Sequence, residues 1–172
     1  MNPSNSIDEL ILEYATERGF RRETLERWLK LADGDRQAFL NLAQELKLGQ
    51  NQLRDLLDWL DEIQLRDGVS CAEILNHEEL SRIMSDPRLG RNDKLKRVKE
   101  ALRRLRFPRL AGIEGKIQKK IGELKLNSQV VISVPPGLEG GTLSIQLTAT
   151  RQEELKRLVE QMGEVVARDE MK

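Results

Sequence analysis

The spacing of the apolar residues changes once along this chain, and that change limits the fold more than any other feature. From Ile7 to Leu124, apolar side chains recur at the three-to-four-residue interval of a helix face. After Leu126-Asn127 the period shortens. Val130, Val131, Ile132 and Val134 read as one strand, and Leu143, Ile145 and Leu147 alternate on a second. Between them lies Pro135-Pro136-Gly137-Leu138-Glu139-Gly140-Gly141, too long for a two-residue hairpin but suited to a wide turn between antiparallel strands. Helical spacing then returns at Leu155, Leu158, Val159 and Met162. The expected fold is α+β and mostly α: a helical N-terminal bundle, basic helices, and a C-terminal α-β-β-α unit.

Local signals divide the helices. Ser6-Ile7-Asp8-Glu9 is a capping box, and Gly19 ends the helix it opens. A second helix carries Leu25, Trp28, Leu29 and Leu31. Asp33-Gly34-Asp35 is a turn with Asp35 as the next N-cap. Ser70 to Glu73 and Asn76 to Glu79 read as further helix starts, and Asp86-Pro87 closes this half. Asn92 or Asp93 caps a helix presenting Leu95, Val98, Leu102 and Leu105; Pro108 suits the first turn of the one after it. Thr150-Arg151-Gln152-Glu153 is another capping box. The 172 residues fit one medium domain or two small ones. The expected division is a helical domain at 1–87, a basic connecting helix at 88–107 and an α-β-β-α dimerisation domain at 108–172.

Two short helices joined near Lys47-Leu48-Gly49 outline a helix-turn-helix at about 36–63. Ala43 falls where the first helix must be small for the second to cross it closely, and Leu53 and Leu56 fall where the second enters the core. Gln50, Asn51, Gln52 and Arg54 are then left at the exposed start of the second helix, with side chains suited to base edges. Lys47 stands where many such motifs have glycine, and Gly49 is expected to supply the turn.

Charge is unevenly distributed in a chain whose formal net charge is zero. Arg88 to Lys125 holds 14 basic and 4 acidic residues, whereas Met1 to Asp86 holds 10 and 18. A concentrated basic surface is the footprint of a phosphate-backbone binder. Lys96, Arg97, Lys99, Arg103, Arg104, Lys116, Lys119 and Lys120 are the expected phosphate contacts on double-stranded DNA. The plainer reading is a solvated, charged helix pair. Asp58, Asp61, Glu62 and Asp67 crowd the later part of the second motif helix, where they would meet the basic stretch within the molecule or on a partner.

Catalytic and metal motifs are weak. Gly112-Ile113-Glu114-Gly115-Lys116 lacks the earlier glycine of a phosphate loop, since Leu110 stands there, and Ile117 replaces its serine or threonine. His77, the one histidine, has no second histidine to complete a zinc motif, and Cys71 is the one cysteine. An intrachain disulfide is thus excluded. Neither an enzyme nor a cofactor is expected. No apolar run approaches the ~18 residues of a membrane span, and the start Met-Asn-Pro-Ser-Asn-Ser lacks the regions of a signal peptide, so a cytoplasmic protein is expected. Aromatics make up 3 %, which disfavours stacking on single-stranded RNA.

The C-terminal order resembles the dimerisation domain of the ParB chromosome- and plasmid-partition family. The resemblance rests on Ile117–Leu126, the strand Val130–Val134, Gly140-Gly141-Thr142-Leu143-Ser144-Ile145-Gln146-Leu147, and Gln152-Glu153-Glu154-Leu155-Lys156-Arg157-Leu158. The helix-turn-helix before it is similar to the family's central DNA-binding module. The resemblance implies a homodimer that adds sequence-independent DNA binding through lysines. Val130, Ile132, Leu143, Ile145 and Leu147 are the expected dimer interface. The family's arginine-rich nucleotide-binding domain has no counterpart, so a shortened adaptor without CTP-dependent clamping is implied; whether a protein partner supplies that domain is left open by the sequence. The alternative is a protein-interaction adaptor with charge-complementary halves and no nucleic-acid role.

Overall fold

The computed structural model describes residues 6–167; residues 1–5, on which the leader reading rests, lie outside it. Among the described residues the order is α1 (Ile7–Glu17), α2 (Arg22–Leu29), α3 (Asp33–Leu46), α4 (Gln50–Asp67), α5 (Cys71–Leu75), α6 (Glu78–Ser85), α7 (Arg91–Arg106), α8 (Pro108–Glu123), β1 (Val130–Ser133), a 3-10 turn (Pro136–Gly141), β2 (Ser144–Leu147) and α9 (Gln152–Ala167). The chain is mostly helical, with a two-stranded antiparallel hairpin followed by the last helix. It divides into two units, Met1–Phe107 and Pro108–Lys172. No helix among the described residues is long and apolar enough to cross a membrane.

The first unit is built around an aromatic centre. Trp28 stands edge-on to Tyr14 (centroids 6.0 Å apart, 82° between planes) and to Phe39 (5.4 Å, 77°). Ile11, Leu40, Leu46, Leu53, Leu57 and Leu60 close around it, each essentially without solvent contact. Each contributes about 1.5–3 kcal/mol by burial. Cys71 belongs to the same core, and burial, reinforced by Asp35 and Asp61, pushes its thiol up to about 12. The segment expected as a connecting helix at 88–107 is part of this unit. Val98, Ala101 and Leu102 of α7 are fully buried, and α3, α4 and α6 pack against that helix. A helix with an apolar stripe must cover it, and a free connector could not.

Side-chain caps account for the starts of α1, α5 and α6, and several other starts differ from expectation; α7 is capped by the backbone of Gly90 and not by Asn92 or Asp93. Glu9 N–H donates to Ser6 Oγ (3.3 Å) and Ser6 N–H to Glu9 Oε2 (3.0 Å); Ser70 and Glu73 repeat the arrangement before α5. His77 caps α6, its Nδ1 accepting from Glu79 N–H at 3.4 Å. α3 begins earlier than expected, at Asp33 after Ala32. Asp35 caps a different helix: its buried carboxylate accepts from Ala72 N–H of α5 at 2.7 Å. At α9 the partner of Thr150 is Glu154 and not Glu153. Glu154 accepts from Thr150 N–H (2.8 Å), Thr150 Oγ1 (3.0 Å) and Gln129 Nε2 (2.5 Å). Those bonds, the Gln129 side chain foremost, hold its carboxyl at about 2.

In the second unit β1 and β2 pair with Val130 opposite Leu147 and Ile132 opposite Ile145. Directly opposed residues share a face. Val130 and Ile132 are buried there with Leu158 and Met162 of α9, and Ile121, Leu124 and Leu147 pack at the margin. The rest of the unit is thinly covered. No residue of α8 is buried, and Ile113, Leu143, Ile145, Leu155 and Val159 are each 43 to 53 % exposed. A cavity of about 660 Å³ opens among Ile117, Ile121, Leu124, Ile132, Leu138 and Leu143. The loop-like sequence Gly112–Lys116 lies inside α8, so its amides are engaged in a helix and cannot cradle a phosphate.

Candidate nucleic-acid interface

The α3–α4 junction has the spacing of a helix-turn-helix, and its backbone shows how the chain makes the turn. Lys47 adopts the left-handed conformation (φ 50°, ψ 50°), Leu48 drops into the core, and Gly49 is extended (φ −83°) as the N-cap of α4. The turn is therefore made by Lys47, not by Gly49. Left-handed backbone in a non-glycine residue costs about 1–2 kcal/mol and persists only where its surroundings enforce it. Two contacts do so here. Leu48 N–H donates to the Ala43 carbonyl at 3.0 Å, and the buried Tyr14 hydroxyl lies 2.7 Å from the Ala43 carbonyl and 2.9 Å from the Leu48 carbonyl. Burial raises the pKa of Tyr14, so its phenol remains a donor. Ala43 is fully buried, as close helix crossing requires, and Leu46, Leu53 and Leu56 anchor the two helices in the core.

The four expected base-reading residues divide by environment. Asn51 and Arg54 are exposed at the start of α4, with Asp55 Oδ1 3.8 Å from Arg54 Nη2. Gln50 and Gln52 are half-buried and have local tasks. Gln50 Oε1 accepts from Arg21 N–H at 2.6 Å, and Gln52 Oε1 reaches back to Gly49 N–H at 3.1 Å. The first turn of α4 carries no acidic residue to offset the positive end of the helix dipole.

Much of the basic stretch is neutralised inside the first unit. Lys94 pairs with Glu45 (2.8 Å), Arg103 with Glu100 (3.1 Å), Arg104 with Glu79, and Arg106 with Glu62 (2.6 Å). Arg88 binds Asp86 and holds that carboxyl down at about 2. Of the expected phosphate contacts, Arg103 is thus ion-paired along α7 itself, and Arg104 is ion-paired to Glu79 of α6, which folding brings against α7. Lys99 is half-buried with its ammonium 6.0 Å from the Trp59 ring. Lys96 and Arg97 stay exposed on α7, and Lys116, Lys119 and Lys120 stay exposed on α8, Lys119 lying 4.0 Å from Glu123. Of the residues expected at a dimer interface, Val130 and Ile132 are covered by their own α9, whereas Leu143 and Ile145 remain open.

Folding also delivers residues that no motif marked. The α1–α2 loop reaches the α3–α4 turn. Arg18 Nη1 donates to the Lys47 carbonyl at 3.3 Å, its guanidinium lies 4.7 Å over the Tyr14 ring, and the Arg21 amide is held by Gln50. Arg18 and Arg21 lie in an acid-rich stretch roughly 30 residues before α4, so sequence distance concealed them. No protein-family model matches this chain, and no curated protein or solved structure does either.

Proposed function

We propose that this chain is a non-enzymatic DNA-binding protein that presents the start of α4 to base edges, a ParB-like partition or regulatory adaptor working at the nucleoid in the cytoplasm. The observation that supports it most is the α3–α4 turn, in which a strained Lys47 is held by Tyr14 so that Asn51 and Arg54 project from a rigid base. Rigid elements are what base readout needs. Lys96, Arg97, Lys116 and Lys119 supply phosphate contacts in this reading, and a second copy joins through Leu143 and Ile145 beside the apolar cavity of the second unit. A two-stranded sheet with so little cover is marginal alone, which favours a homodimer.

Selection from a random duplex pool, followed by titration, tests the proposal. A preferred sequence should emerge, and Asn51→Ala with Arg54→Ala should weaken binding to it by roughly 1–3 kcal/mol per residue while changing random-duplex affinity little. The reading fails if the wild-type chain binds no duplex at low salt. Sedimentation of full-length Ile145→Asp should show loss of the dimer.

The competing adaptor reading gains support from one observation: the pairs Lys94–Glu45, Arg104–Glu79 and Arg106–Glu62 satisfy the charge complementarity of acidic and basic segments internally. Under it, α7 charge serves folding, and affinity for DNA would be absent at every salt concentration.

A further inference from the structure

Ten basic residues precede Asp86, in the acid-rich part of the chain. Most have a carboxylate beside them: Arg22 with Glu26, Arg27 with Asp58 and Asp61, Arg36 with Asp8 and Asp33, Arg54 with Asp55, Arg66 with Asp67, and Arg82 with Glu78. Among the described residues, Arg18, Arg21, Lys30 and Lys47 pair with no carboxylate. Three of these four gather at the α3–α4 turn. In a surface with acids to spare, such a grouping leaves positive charge free at one place.

We propose that Arg18, Arg21 and Lys47 form a phosphate clamp that grips the DNA backbone beside the groove entered by α4. The inference rests on the DNA-binding reading above and assigns the α1–α2 loop a role in it. The clamp is preorganised. Stacking on Tyr14 fixes the plane of the Arg18 guanidinium; of its five N–H groups the Lys47 carbonyl takes one and the Tyr14 hydroxyl engages another, which leaves the rest for an anion. The Arg21 amide is tied to Gln50, the first residue of α4, so its exposed side chain starts within one bonded contact of the reading helix. Lys47 is exposed at the turn itself. When a helix-turn-helix docks, the elements flanking the reading helix lie across the sugar-phosphate strand, so cations fixed there meet phosphate and not bases.

The test uses the full-length protein and fluorescence anisotropy on a random-sequence duplex and on the selected duplex, across a salt series. Replacing Arg18 and Arg21 by Gln should make the slope of log K against log salt shallower by about 2, one unit per lost phosphate contact, and should lower affinity about tenfold on both duplexes alike. Arg18 also packs on Tyr14, so Arg21→Gln alone is the second variant, with an expected slope loss of about 1. The clamp is overturned if the wild type binds while both folded variants keep its slope and affinity. It is overturned too if the variants lose only sequence preference, since base readers and not phosphate contacts behave so. If the wild type binds neither duplex, the DNA-binding reading falls with it, and that outcome is distinct from the other two.

Discussion

Removing one oxygen atom, in Tyr14→Phe, isolates the contact that holds the α3–α4 turn. The ring keeps its edge-on packing against Trp28 and Phe20, so no cavity larger than the hydroxyl is created. The single hydroxyl proton, shared by two carbonyls, is lost. The Ala43 carbonyl retains Leu48 N–H at 3.0 Å, whereas the Leu48 carbonyl loses its 2.9 Å donor. A buried acceptor left unsatisfied costs about 1–3 kcal/mol. For a unit of this size each kcal/mol shifts the midpoint by roughly 4 °C, so the Tm of the first unit should fall by about 4–12 °C. Both tryptophans, Trp28 and Trp59, lie in that unit, so tryptophan fluorescence during heating reports it without interference from the second. A fall of less than about 1 °C would refute the claim that the hydroxyl secures the turn. Lys47 strain and the Tyr14 bond concern the same backbone, so the two effects should couple in a double-mutant cycle with Lys47→Gly.

Other outcomes follow from the same structure. Lys47→Gly alone should stabilise the first unit by about 0.5–1 kcal/mol in urea unfolding, because glycine accepts the left-handed conformation and its extra chain entropy offsets only part of the gain. Glu154 has its carboxyl depressed from 4.5 to about 2, so its contribution is complete above pH 4.5 and is lost as pH falls toward 2. The second unit should therefore lose stability across that window, and Glu154→Gln should flatten the loss, as read by backbone circular dichroism. Cys71 has its thiol raised to about 12 and is fully buried, so a thiol reagent at pH 8 should label it only as fast as the first unit opens. Labelling at the rate of a free thiol would contradict its placement in the core.

Periodicity and capping made the elements legible before any coordinates. The change of spacing at Asn127, the serine capping boxes at Ser6 and Ser70, and the small Ala43 followed by Leu53 and Leu56 are local signals, because each depends on residues within a few turns. Tertiary structure alone decided where charge ends up. The Arg88–Lys125 surplus is read from sequence as one surface, yet Arg104 and Arg106 meet Glu79 and Glu62, acids that precede them by 25 and 44 residues. It also decided which cations remain free, since Arg18 and Lys47 join across 29 residues. Sequence spacing also grouped Val130 and Ile132 with Leu143 and Ile145, while α9 covers the first pair only. A helix face follows from a repeat of a few residues, but a charge is neutralised and an apolar residue is covered by whatever the fold brings alongside it, at any distance along the chain.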